Sequence, residues 1–207
     1  MIHPNTELRL IDESIGYGVF ATAFIPQGTI TYVKDSLELE FSPEAYRSHP
    51  PTLQTHIDKY SYIDERGYRI VSWDFAKYVN HCCHANTLST GYGFEVAIRD
   101  IQPGEQITDE YAMFNLTEPM PVNCGGTGCR GCVQPEDFDR LVPVWDGKLL
   151  AMWPNVYQVA QPLWELLSDT VQAQLAQAKE DPAQYRSVGV LKYRRDWETE
   201  ASPDFQD

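Results

Sequence analysis

The chain has 207 residues, 43% of them hydrophobic and 22% charged, which suits one domain with an extension or two small domains. Its formal net charge of −14 argues against direct DNA or RNA binding, which depends on Lys and Arg neutralising phosphates, and would steer a basic protein or peptide towards the surface. Met1–Glu7 has neither the basic start nor the apolar run of a signal peptide, and no stretch approaches the ~20 apolar residues of a membrane span, so a cytoplasmic protein (nuclear in a eukaryote) without membrane contact is expected.

Residues 6 to about 116 read as β-rich, with short strands and many turns. Gly16-Tyr17-Gly18-Val19-Phe20-Ala21 comes first. Its glycines would let backbone approach a ligand closely, because no Cβ intervenes. Ile30 and Tyr32, and later Phe94, Val96 and Ile98, alternate at the strand period. Two turns resemble each other, Ala23-Phe24-Ile25-Pro26-Gln27-Gly28 and Arg99-Asp100-Ile101-Gln102-Pro103-Gly104. Between these halves, Ser42 at N-cap, Pro43 at N1 and Glu44 in the first turn predict a short helix. Tyr60 and Tyr62, two residues apart, would share one face of a strand.

The segment Tyr78-Val79-Asn80-His81-Cys82-Cys83-His84-Ala85-Asn86 packs amide, imidazole and thiol groups into a few residues, a density unusual for a mere connection. Asp100 to Tyr111 then ends in a tyrosine expected on a strand, with Asp109 on the same face. Residues 117 to 133, rich in Pro, Gly and Cys, should be loop. The chain has five cysteines, an odd number, and Cys124-x4-Cys129-x2-Cys132 clusters three of them. In a reducing compartment that favours a metal over disulfides, and the spacing suits tetrahedral zinc.

In the C-terminal part Leu163, Leu166, Leu167, Val171 and Leu175 recur at helical spacing. Pro162 fits the start of such a helix and Asp181-Pro182 its end. The acidic stretch Glu198 to Asp207 is expected to fray.

Three of these segments, in this order, resemble the motifs of the SET-domain family of protein lysine methyltransferases. They are Gly16-Tyr17-Gly18, Asn80-His81-Cys82-Cys83-His84-Ala85-Asn86, and Gly104-Glu105-Gln106-Ile107-Thr108-Asp109-Glu110-Tyr111. No single motif is specific, but the ordered set is. The resemblance implies a mostly β fold with some α: short curved sheets with a knot-like crossing in which the Asn80-His81 segment threads beside the strand that leads to Tyr111. It also implies a division into a SET domain over 1–116, a post-SET-like zinc loop over 117–133 and a helical extension over 134–207.

The implied activity is methyl transfer from S-adenosylmethionine to an amine, most simply a lysine ε-amine of a basic protein. Tyr111 would be the catalytic tyrosine, with Tyr32 and Asp109 beside it and Tyr60 and Tyr62 lining the substrate channel. Gly16, Tyr17, Gly18, Asn80, His81 and Tyr111 would hold the cofactor. In relatives with a post-SET loop, the cysteine of the Asn-His motif joins three loop cysteines on one structural zinc. Here that set is Cys83, Cys124, Cys129 and Cys132, with His84 as a fallback fourth ligand, although this loop lacks the usual Cys-x-Cys start.

The main departure is Asp109, where the family usually has Phe or Tyr, an aromatic that helps set how many methyl groups are added. A carboxylate there could attract a cationic amine and take its proton, could point to a small-molecule amine as substrate, or could be turned to solvent by a bulge. Two other readings stay open at this level: an inactive SET-like module that binds a peptide, and a zinc-stabilised homodimer built on the C-terminal helix.

Overall fold

The computed structural model describes residues 1–125 and 127–194, so the acidic stretch Glu198–Asp207 lies outside the described residues. The first hairpin pairs β1 (Thr6–Asp12) with β2 (Gly16–Ala21). Its turn forms because Asp12 Oδ1 accepts the backbone N–H groups of Ser14 and Ile15, at 2.7 and 2.8 Å. Gly16 then closes it at a φ of 84°, a left-handed conformation that favours glycine.

A three-stranded sheet runs in the order β3 (Ile30–Val33), β9 (Phe94–Ala97), β8 (Thr87–Ser89). All four residues of β3 are buried, so both its faces are covered, and in β9 the expected alternation holds only over Phe94–Val96, since Ala97 is buried too and Ile98 lies past the strand's end. A second three-stranded sheet has the order β4 (Leu39–Phe41), β6 (Arg69–Val71), β5 (Ser61–Ile63). Between β4 and β5 lie α1 (Pro43–Ser48) and α2 (Pro51–Tyr60). Helix α1 is the one predicted from its cap: Ser42 Oγ accepts the Ala45 N–H at 3.1 Å. The two similar turns face each other, with Ile25 and Ile101 exchanging both backbone hydrogen bonds at 3.0 and 2.9 Å.

Strand β7 (Asn80–His81) lies parallel to β10 (Thr108–Asp109), Asn80 opposite Thr108 and His81 opposite Asp109. Buried Asn86 fixes this crossing. Its Oδ1 accepts the Thr108 N–H at 2.8 Å, and its Nδ2 donates to the Gln106 carbonyl at 2.8 Å. The cysteine-rich loop carries a two-residue ladder, β11 (Met120–Pro121) with β12 (Cys132–Val133).

The extension differs from expectation in two ways. Its longest helix, α3 (Asp137–Met152), escaped prediction because Pro143 stands inside it. Its buried positions Phe138, Trp145, Leu149 and Met152 nevertheless fall on one helical face. The predicted helix from Pro162 starts only at Asp169: α4 (Asp169–Glu180) is capped by Ser168, and Trp164–Leu166 form a separate 3-10 turn. Leu163, Leu167 and Leu175 are buried, whereas Leu166 is 36% exposed. The larger apolar core joins both ends of the chain. Ile30, Val33, Leu88 and Phe94 pack with Phe138, Trp145, Leu149 and Trp153, while a smaller core around Val19, Ile25 and Ile101 underlies the first hairpin. No helix among the described residues is long and apolar enough to cross a membrane.

Candidate functional site

Asn80 and the glycine segment meet directly. The Asn80 Nδ2 donates to the Tyr17 carbonyl at 3.0 Å. Gly18 has no room for a side chain, since a Cβ there would come within 2.6 Å of Gln106 Nε2 and 3.1 Å of Asn80 Nδ2. Gly16 faces open space on the same hairpin. One glycine thus serves packing between motifs, and the other leaves backbone accessible to a ligand.

His81 is held at both ring nitrogens. Its Nδ1 accepts the Tyr111 N–H at 3.2 Å, and its Nε2 lies 3.4 Å from Cys83 Sγ. An accepting Nδ1 requires that atom to be unprotonated, and burial lowers the pKa of the imidazole, which favours this state. The ring therefore fastens Tyr111 to the cysteine cluster and has no free nitrogen for a ligand, so any cofactor contact here would go through its backbone.

Tyr111 does not sit on the strand, as expected, but on the first residue of a 3-10 turn, Tyr111–Phe114. Glu110 caps that turn through Oε1, which accepts the Ala112 N–H at 3.1 Å. The turn swings the phenol across β7, where its hydroxyl donates to the Val79 carbonyl at 2.6 Å. Burial pushes the phenol above its usual range, so it stays a neutral donor.

The phenol lines a cavity of about 660 Å³. Tyr32, Tyr62, Asp109 and Glu95 share that lining, and Tyr60 stands on its wall. Tyr60 and Tyr62 reach it differently than expected: Tyr60 is the last residue of α2, whereas Tyr62 lies on β5, so they do not share a strand face. Tyr32 donates to Glu38 Oε1 at 2.7 Å and accepts from Ser72 Oγ at 3.1 Å, which fixes its ring. Gly16, Tyr17, Gly18, Asn80 and His81 do not line the cavity; His81 adjoins it through its hydrogen bond to Tyr111, and Asn80 follows the lining residue Val79. An edge-on series of rings, Tyr17 to Tyr78 to Tyr60, connects the first hairpin to the cavity wall.

Asp109 is not turned to solvent by a bulge: it is 1% exposed and faces the cavity. Its Oδ1 accepts the Glu110 N–H at 2.7 Å, and its buried Oδ2 has no partner. Burial raises its carboxyl to about 7, and burial also raises that of neighbouring Glu95. The sequence reading missed Glu95. The signal was a carboxylate set in the apolar strand run Phe94–Ala97.

The thiols of Cys83, Cys124 and Cys129 lie within 4.8 Å of one another, close enough to share one ion. Cys132, expected as the fourth ligand, is outside this group: its Sγ accepts from Gln134 Nε2 at 3.3 Å and faces the Val133 carbonyl. The His84 ring packs against Gly128, beside Cys129. Backbone N–H groups of Cys124 and Gly131 lower the Cys129 thiol to about 7, which favours the thiolate that a cation needs. The donor set thus fits a soft or borderline metal ion with a fourth position open to a nearby residue. Arg130 anchors the loop. Its Nη2 donates to Glu110 Oε1 at 2.6 Å, and its backbone N–H points at Cys83 Sγ at 3.3 Å.

Comparison with known proteins agrees with the motifs. The SET domain family model matches residues 16–112. A Plasmodium falciparum protein provisionally described as a histone methyltransferase is similar at 16% identity and a TM-score of 0.38, over 53% of this chain and 95% of its own. The methyltransferase domain of human histone-lysine N-methyltransferase SETMAR is similar at 16% identity and a TM-score of 0.43, over 64% of this chain and 58% of that one. No curated protein matches the chain in sequence. The glycine segment, the Asn80-His81 pair and Tyr111 all lie inside the matched span, so residues 16–112 are similar to a SET domain, and a group of cysteines that could hold a metal ion surrounds its end.

Proposed function

We propose that the chain transfers a methyl group from S-adenosylmethionine to an amine, the ε-amine of a lysine in a basic protein or peptide. The observation that carries this reading is the meeting of Tyr111 with the Asn80-His81 strand beside a cavity that Tyr32, Tyr60 and Tyr62 also line. When bound, S-adenosylmethionine supplies an electrophilic methyl group beside a positive sulfur. The backbone at Gly16–Gly18 and Asn80–His81 would hold it, because Gly16 offers open backbone and β7 brings its own next to Tyr111.

The residues of this chain do the rest. The rings of Tyr32, Tyr62 and Tyr60 would enclose an alkyl chain and exclude water from its nitrogen. Holding reacting atoms ~3–3.5 Å apart in line is worth several kcal/mol. An ordinary lysine has a pKa of about 10.4, and exclusion of water together with a nearby positive charge lowers it. The Tyr111 hydroxyl, now on the Val79 carbonyl, would orient the amine. Zinc is the ion proposed for Cys83, Cys124 and Cys129, with Cys132 or His84 completing the tetrahedron and the ion pinning the loop through Arg130.

Incubation with labelled S-adenosylmethionine and an array of basic peptides tests this reading, with small primary amines alongside because Asp109 in the cavity suits a free ammonium. A mass-identified methylated lysine is the expected product. Tyr111→Phe should lower the rate by tens-fold or more, the scale of one orienting or proton-handling contact. Calorimetry should show its S-adenosylmethionine affinity retained. No cofactor binding by the unaltered chain, or a near-normal rate in the variant, would defeat the assignment.

A further inference from the structure

Asp109 and Glu95 are carboxyls of the cavity lining that form no ion pair among the described residues. Strand β10 brings Asp109 to the cavity and β9 brings Glu95, where Glu95 pairs in register with Tyr32. Asp109 Oδ2 is buried and meets no donor among the described residues. A hydrogen bond between Asp109 and neighbouring Glu95 needs a proton on one of the two, because an ionised carboxylate only accepts, and Asp109 raises the hold of Glu95 on its proton.

The groups that act most strongly on the pair are acidic or neutral. They are Tyr32 from β3 with Glu38 after it, Tyr62 from β5, and Glu110 and Tyr111 beyond β10, with the amino group of Met1 acting on Glu95; Lys59, Arg69 and Lys77 line other parts of the cavity and form no ion pair with Glu95 or Asp109 among the described residues. Met1 itself is held by Asp35 and Glu38. A buried carboxyl oxygen without a partner, as Asp109 Oδ2 is beside half-buried Glu95, is unfavourable for folding, and a cavity that ends on one suits a ligand that brings the cation.

We propose that Glu95 and Asp109 form a paired carboxyl site that binds a primary ammonium group through its N–H bonds and then accepts its proton. This rests on the reading of the cavity as an amine channel and adds the group that frees the nitrogen lone pair. The pair starts with one proton between its two carboxyls; a second passes from the ammonium nitrogen to Asp109 Oδ2, the nitrogen keeps the electron pair, and both carboxyls end protonated and neutral. Each methyl group on the nitrogen removes an N–H that the pair can bind. The site therefore favours an unmethylated amine over its methylated forms.

The test uses the full chain without methyl donor and n-butylammonium as probe, followed by NMR of the Glu and Asp side-chain carboxyl carbons at pH 6 and pH 8. The expected result is saturable binding that shifts two coupled carboxyl signals. Affinity for N,N,N-trimethyl-n-butylammonium should be at least tenfold weaker, and n-butanol should not bind. Asp109→Asn and Glu95→Gln should each weaken n-butylammonium by tenfold or more while keeping a cooperative thermal transition. Equal affinity for the primary and quaternary ions overturns the proposal and needs no variant, so it stays falsifiable should Asp109→Asn fail to fold. Unchanged n-butylammonium affinity in both folded variants also overturns it. Because donor-free binding is measured, its failure is separate from the failure of methyl transfer, which is read on the unaltered chain with S-adenosylmethionine.

Discussion

Asp109 brings an ionisable group to a position from which water is excluded, and this has a consequence for stability. Its carboxyl is raised to about 7, against about 3.9 for an unfolded aspartate. The folded chain thus holds this proton more tightly than the unfolded chain. Stability from this group is then full at low pH, falls as pH rises through about 4, and has reached its floor above about 7. An asparagine has no proton to lose. Asp109→Asn should therefore gain relative to the unaltered protein by about 2–4 kcal/mol between pH 4 and pH 8. Thermal melts of both proteins at pH 4, 6 and 8 check this, and a difference in midpoint that does not change with pH contradicts it. The departure of Asp109 from the usual aromatic was readable in the sequence, but its surroundings were not. Whether a strand residue faces solvent or a cavity depends on what packs against the other side, and here Glu95 comes from a strand fourteen positions earlier.

At the scale of elements, the cysteine loop is tied to the Tyr111 turn through side chains of opposite charge as well as through the larger core, which Met120, Val122 and Val133 share with Ala112 and Met113. Arg130 reaches buried Glu110, Glu110 caps the turn that begins at Tyr111, and His81 bridges Tyr111 to Cys83. Zinc on the thiols would hold Cys83 and Arg130 in place and so steady the Tyr111 turn. Metal analysis by native mass spectrometry should find one zinc per chain, lost in Cys83→Ser, Cys124→Ser and Cys129→Ser. Whichever of Cys132→Ser and His84→Ala also loses it identifies the fourth ligand. Full zinc content in all three of the first variants would exclude this cluster as the site. Local chemistry was legible here: the cap at Ser42 and the turns at Ile25 and Ile101 follow from short-range patterns, whereas the pairing of those turns is long-range and Cys83 joined the loop thiols only through the family resemblance. Helix α3 was not, because Pro143 breaks the local rule and only burial of Phe138, Trp145 and Leu149 against the β3–β9–β8 sheet overrides it. Likewise Leu163 to Leu175 have helical spacing, yet Ser168 is the better cap, and the chain starts its helix there.

At the scale of the whole molecule, Gln161 decides how far the extension and the β-rich part act as one body. It sits beyond α3, more than a hundred residues from β3, and its amide takes the place of a strand partner. The Ile30 N–H donates to its Oε1 at 2.8 Å, and its Nε2 donates to the Gly28 carbonyl at 2.7 Å and the Val156 carbonyl at 2.9 Å. Close by, Asn155 Nδ2 donates to Gln27 Oε1 at 2.8 Å. Gly28 has a φ of 93°, and a Cβ there would come within 2.7 Å of Asn155 backbone, so the two parts meet with no spare space. Gln161→Ala would strand one backbone donor and two acceptors in a partly buried seam. Each such group costs about 1–3 kcal/mol when no water reaches it, and partial access makes the lower end the better guide. A total near 3 kcal/mol corresponds to a midpoint lowered by roughly 6–12 °C for a chain of this size. Gln161→Glu keeps the acceptor for Ile30 and loses both donations, so it should fall by at least as much, since its charge would face two carbonyls. Far-UV circular dichroism and the fluorescence of Trp145 and Trp153 in the shared core should report the same lowered transition. Were the extension an independent unit, the two signals would separate, with the tryptophan signal melting on its own while the β-sheet signal kept its original midpoint.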